Sequence, residues 1–199
     1  MFWRRRSARQ VDFIAFGLGN PGQRYASTRH NMGFRVLDEL ARQVHVEHRE
    51  QRHHGLAQYC TLTNVPAALI RPTTYMNLSG GCVSAWRAAY PTARFCVVFD
   101  DLSLAVGAVR FKRRGSSGGH RGVESVIQAL GSSEFDRLKI GIGAPPEWID
   151  ATEYVLSPPT PAEDALLKDA VLRAADALTA LAAGDMEKAV RLVSSEEQT

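Results

Sequence analysis

The chain has 199 residues, 45% hydrophobic and 23% charged, and its 24 Lys plus Arg against 21 Asp plus Glu give a formal net charge of +3. That size and balance suit one globular domain and exclude disordered, collagenous and coiled-coil chains, and no apolar run approaches the ~20 residues of a membrane helix. The three cysteines, Cys60, Cys82 and Cys96, are widely spaced in apolar surroundings and read as buried free thiols of a cytoplasmic protein, not as a disulfide frame or zinc site.

Residues 1–10 carry Arg4, Arg5, Arg6 and Arg9 without an acid and read as a basic flexible extension. The domain is assigned to residues 11–199. VDFIAFGLG predicts a buried strand ending in glycine, and Phe34, Val36, Leu37, Leu40 and Val44 have helical spacing. His45, His48, His53 and His54 follow in a segment crowded with Arg, Glu and Gln, which is expected to be a solvated loop or helix end. Short strands are expected at AQYCTLT and AALIRP, a small-residue helix through SGGCVSAWRAAY, and strands at ARFCVVFDD, AVRFKR and RLKIGIG, with a helix at VESVIQAL. Thr160, Pro161 and Glu163 form a capping-box pattern that opens a long helix ended by Gly184, and a short helix follows from Asp185 to about Val193. Strands alternating with helices predict an α/β fold: a single domain with a mixed, mostly parallel central sheet and helices on both faces. In such folds the ligand lies beyond the carboxyl ends of the strands, which directs attention to the segments after Phe16, Phe99 and Lys112.

The net charge is unevenly distributed. Residues 110–121 hold Arg110, Lys112, Arg113, Arg114 and Arg121 with no acid, so that removing this +5 and the +4 of residues 1–10 from the total leaves the rest of the chain at −6. An acidic body with a local basic segment attracts a polyanion to one place.

Three motif matches fail on context. Gly17, Gly19 and Gly22 fit a dinucleotide fingerprint, but about ten polar residues separate them from the next helix. Gly115, Ser117 and Gly119 fit a nucleophile elbow, yet the only later histidine is His120, too close to complete a triad. Asp100 and Asp101 could hold magnesium, but the phosphate-binding lysine motif of a phosphotransferase is missing.

Four segments remain: GLGNPGQRYASTRHNMG, PTTYMNLSG, FDDLSL and FKRRGSSGGHRG. Together they resemble the bacterial-type peptidyl-tRNA hydrolase family, over nearly the whole chain. The resemblance implies hydrolysis of the ester joining a peptide to the ribose of tRNA by a monomer that uses no metal or cofactor. It makes His30 the general base, in keeping with a side chain whose unperturbed pKa lies near neutrality, and Asp100 the residue that orients it. It places Asn20 and Asn77 in the active site, where an amide can hold a carbonyl or support an oxyanion. Tyr25, Met76, His120 and Arg121 become substrate-binding residues, and Lys112, Lys139, Arg113 and Arg114 bind phosphates of the tRNA acceptor stem above its CCA end. The chain departs from the family pattern at Arg121, where most relatives have asparagine, at Lys139, where many have arginine, and at Ser103, where an acid is common. An RNA-binding module without turnover is the alternative reading.

Overall fold

The computed structural model describes residues 9–194. Seven strands form one sheet: β1 (Phe13–Gly17), β2 (Val46–Arg52), β3 (Gly55–Leu62), β4 (Val65–Pro72), β5 (Arg94–Asp101), β6 (Val109–Arg114) and β7 (Glu134–Gly141). Their spatial order is β2-β3-β4-β1-β5-β7-β6. β4, β1, β5 and β7 run parallel in the centre, while the β2–β3–β4 meander and the β6–β7 pair are antiparallel, so five strands point one way and two the other. This is the mixed, mostly parallel sheet expected from the alternation of elements.

Helices α1 (Met32–Gln43), α5 (Pro161–Ala183) and α6 (Met186–Val193) cover one face, and α2 (Ser79–Ala89) and α3 (Arg121–Leu130) the other. β1 is therefore buried on both sides, which explains why its sequence is a continuous apolar run and not an alternation. Phe13 and Ala15 pack towards α1 and α5; Ile14 and Phe16 pack towards α2 and α3. All three cysteines are buried free thiols.

The long helix α5 is bounded as its sequence predicts. The Thr160 side chain accepts from Glu163 N, the Glu163 side chain accepts from Thr160 N, Pro161 opens the helix, and Gly184 closes it in the left-handed region at φ 83°. β1 and α1 meet without side chains: a Cβ on Gly17 would collide with the Gly33 carbonyl, and one on Gly33 with the Leu18 backbone. These two glycines let the chain between them fold back over the sheet's edge and bring its histidine to the strand ends.

The segment expected to be a solvated loop is instead the edge strand β2 with its turn. Val46, His48, Glu50 and Arg52 alternate with exposed residues, and the covered face is held by polar contacts: Tyr59 Oη donates to Glu50 Oε1, and the His48 ring stacks on Tyr59 at 5.9 Å. A strand covered by hydrogen bonds and ring stacking leaves no apolar period to read. The turn places His53 and His54 at φ 49° and 56°. A further short helix, α4 (Ala151–Val155), was not expected from the sequence.

Candidate active site

A cleft of about 440 Å³ opens at the carboxyl ends of β1 and β5. Asn20 enters it from the turn after β1, Tyr75, Met76 and Asn77 from the turn after β4, and Phe99 to Leu102 from the end of β5. Ser117 to Arg121 form the wall leading into α3, and Ala151, Thr152, Val155 and Leu156 the opposite wall on and after α4.

His30 sits in a 3-10 turn (Arg29–Asn31) that leads into α1, and Asp100 is the penultimate residue of β5. The His30 Nδ1 lies 2.9 Å from Asp100 Oδ2 and 3.1 Å from Oδ1. Asp100 is 2% exposed. Burial alone would raise its carboxyl, but the electrostatic attraction and N–H bonds of His30 and His120 outweigh that and hold it well below the usual carboxylate range. An ionised carboxylate only accepts, so Nδ1 of His30 carries the proton and Nε2 is left as the basic nitrogen facing the cleft.

His120 is the second partner of Asp100, with Nε2 at 3.3 Å from Oδ1. Its Nδ1 accepts from Val123 N at 3.2 Å, capping α3. That cap fixes the proton on Nε2, so both imidazoles donate to one carboxylate. His30, Asp100 and His120 are the cluster among the described residues whose atoms are spaced for a metal ion, all within 4.8 Å. With a proton on each facing nitrogen, the three side chains form a hydrogen-bonded set.

Asn20 is oriented from three sides. Its backbone exchanges two bonds with the buried Asn31 side chain, at 2.8 and 3.0 Å, and its Oδ1 accepts from Met76 N at 2.9 Å. With Oδ1 taken, Nδ2 is the group that Asn20 offers to a ligand. Asn77 lines the cleft from an exposed turn position, and its side chain does not cap α2. Met76 is buried behind Asn20, and Arg121, the first residue of α3, reaches the cleft from its exposed rim.

Other expected residues fall elsewhere. Tyr25 does not line the cleft: it ends a separate 3-10 turn (Gln23–Tyr25), and its ring is taken by the Arg24 guanidinium at 4.5 Å. Lys112 and Lys139 share one face of β6 and β7 with Arg110, which is paired to Lys139 in register. Lys139 is not free, because its Nζ lies 2.6 Å from Asp101 Oδ2. Burial would raise the Asp101 carboxyl, but Lys139 and the Ser103 hydroxyl and amide bring it below its ordinary value. Arg113 points to the opposite face, towards Asp136 at 3.8 Å, because alternate residues of a strand face opposite ways. Arg114 is exposed beside Glu134, beyond a register shift. The roles of His120 as a partner of Asp100 and of Asn31 as a clamp on Asn20 were not read from sequence; each depends on a contact between distant segments, although both residues lie inside the motifs that mark the site.

Three comparisons bear on this arrangement. The peptidyl-tRNA hydrolase family model matches residues 14–199. Proteins named peptidyl-tRNA hydrolase are similar from Chloroflexus aggregans, 45% identical over 83% of this chain and 90% of that protein, and from Carboxydothermus hydrogenoformans, 44% identical over 89% and 96%. The crystal structure of peptidyl-tRNA hydrolase from Acinetobacter baumannii superposes with a TM-score of 0.85 at 30% identity, covering 93% of this chain and 95% of that one. With model, sequence and structure agreeing over most of its length, the chain belongs to the peptidyl-tRNA hydrolase family.

Proposed function

We propose that the cleft hydrolyses the ester between peptide and tRNA, the reaction for which the family is named, with His30 as the general base. The observation that carries this reading is the contact of His30 Nδ1 with the buried Asp100, which leaves Nε2 to take a proton from water in the cleft. As the water attacks the ester carbonyl, the imidazolium forms beside a carboxylate already in place. The amides of Asn20 and Asn77, which line the cleft, are assigned to the developing oxyanion as uncharged donors. Collapse of the tetrahedral species expels the ribose oxygen, which takes the proton held by His30, and leaves the peptide carboxylic acid, which ionises to solvent. No nucleophilic side chain is required, and the ester is already activated.

The RNA is assigned to the side of the cleft where β6 enters the sheet, with Val109 paired to Ile140 near the carboxyl end of β7. Arg110 and Lys112 share that face, and neither has an ion pair among the described residues. The acceptor stem is placed along them, with the CCA end passing Arg121 into the cleft. Arg121 keeps a charge for phosphate where an asparagine would also accept a hydrogen bond.

The test is turnover of N-acetylated aminoacyl-tRNA. His30→Ala is expected to reduce kcat by at least about 100-fold with tRNA binding retained. Full turnover by that variant would remove His30 from the mechanism, whereas binding without turnover by the unaltered protein would favour an RNA-binding module.

A further inference from the structure

Arg29 immediately precedes His30 and is one of the few charged residues buried in the described chain, at 5% exposed. Its Nη1 donates to Ser157 Oγ at 2.7 Å and to the Pro158 carbonyl at 2.8 Å, and its Nη2 lies 2.6 Å from Glu163 Oε2. The guanidinium stacks on Tyr154 at 4.3 Å, and the Arg29 backbone N–H donates to the Ser157 carbonyl at 3.1 Å. Tyr154 in turn donates to the Ile142 carbonyl at 2.7 Å, and Ile142 N to the Asp101 carbonyl at 3.1 Å. These contacts form a closed path: from His30 through Arg29 to α4, from α4 to the end of β7, and from there to the end of β5 that carries Asp100.

We propose that Arg29 is a positioning residue that locks the His30 turn to the α4 wall of the cleft. A buried guanidinium whose two Nη groups meet carboxylate, hydroxyl and carbonyl partners, while its Nε has none, is specified in orientation as well as in place, because those three partners fit the planar fork in only one arrangement. Val155 and Leu156 of the wall lie directly before Ser157, so Arg29 sets the distance between the surface that meets the substrate and the base that acts on it. The lock acts on the orientation of His30 and hence on kcat, while the groups that bind tRNA lie on other elements. This rests on His30 being the base.

The experiment compares the unaltered protein with Arg29→Gln, Arg29→Lys and Thr160→Ala on N-acetylated aminoacyl-tRNA, well below each melting temperature. Arg29→Gln is expected to lose about 30-fold or more in kcat with KM within about threefold, the cost of an ångström-scale misplacement. Arg29→Lys keeps the charge beside Glu163 but cannot hold Ser157 and Pro158 together, and should lose about tenfold, a partial rescue. Thr160→Ala loosens the start of α5 without removing an Arg29 partner and should lower the melting temperature while leaving kcat unchanged. The proposal is overturned if Arg29→Gln keeps kcat within about threefold of the unaltered protein, or if Thr160→Ala lowers kcat as far as Arg29→Gln does. Should Arg29→Gln fail to fold, Arg29→Lys decides, with a loss under about threefold counting against the lock. An unaltered protein without turnover would instead overturn the hydrolase reading, and loss of the hydrogen-bonded His30 Nδ1–H resonance in Arg29→Lys would still support the lock.

Discussion

Asp100 accepts hydrogen bonds from two imidazoles and is almost out of contact with water, so its carboxylate is bound up with both the stability of the site and its chemistry. Because its folded value lies below the ordinary carboxylate range of about 3.9, its contribution to stability is complete above that pH. The contribution disappears only as pH falls through the lower folded value. Asp100→Asn is therefore expected to unfold more easily than the unaltered protein at pH 7, with the difference closing as the pH falls below about 4, measured by urea unfolding across that range. In turnover the same substitution should cost about 10³-fold in kcat, since an amide can present its own N–H to His30 and favour the wrong tautomer. A difference in stability that persisted unchanged at low pH would show that Asp100 acts through packing and not through its charge. The neighbouring carboxylate differs in kind: Asp101 is half-buried and tied to Lys139 and Ser103, which orders the rim without touching His30. Of the residues that line the cleft, His30, Asp100, Asn20 and Asn77 were all legible from motif residues, whereas Tyr25 sits in the same motif and turns elsewhere. A motif records which residues travel together, not which way each side chain points.

At the scale of elements, each wall of the cleft depends on a helix start. His120 caps α3 with the same ring that bonds Asp100, so the orientation of that helix and of the carboxylate are set together. Asp150 caps α4, and Thr160 with Glu163 caps α5. Thr160→Ala removes one acceptor of the box and should cost about 1 kcal/mol, lowering the melting temperature by roughly 2–4 °C for a domain of this size. Differential scanning calorimetry would register that shift, and an unchanged melting temperature would mean that Glu163 and Arg29 hold the helix start without the hydroxyl. The α5 boundaries were fully legible because capping is local: threonine, proline and glutamate act within one turn, and glycine ends the helix by its own backbone freedom. β2 was not legible because its covered face is made of Glu50 and His48, whose partner Tyr59 lies on the next strand, and of Arg52, which pairs with Glu50 and lies over the Trp86 ring.

Over the whole molecule the charge is divided by position. The basic strand β6 lies at one edge of the sheet and β2 at the other, and the parallel strands between them end at the cleft. Polyanion binding is thus expected at the β6 edge, beside the site and not over the acidic remainder. Lys112→Ala should weaken tRNA binding and reduce the slope of log affinity against log salt by about 0.9 for each phosphate that is no longer neutralised. Arg110→Ala is expected to do the same, while Arg113→Ala, on the opposite face and beside Asp136, should leave the slope unchanged. Equal effects from all three would show that the strand attracts RNA by net charge without a defined face. No helix among the described residues is long and apolar enough to cross a membrane. Residues 1–8, which carry most of the basic extension, lie outside the described part of the chain.

The sequence by itself determined the order and type of most elements, the α5 caps and the identity of the residues around the cleft. Each of these follows from spacing within a few residues, from backbone freedom at one position, or from the side-chain chemistry of a motif. Only the tertiary structure decided that His120 shares Asp100 with His30 and that Lys139 is occupied by Asp101. It also joined Arg29 to Ser157 and Glu163, 128 and 134 residues further along the chain. The physical reason is common to all of them: a proton position, an ion pair or a buried guanidinium is defined by its partners, and those partners come together only when the sheet and its helices are packed.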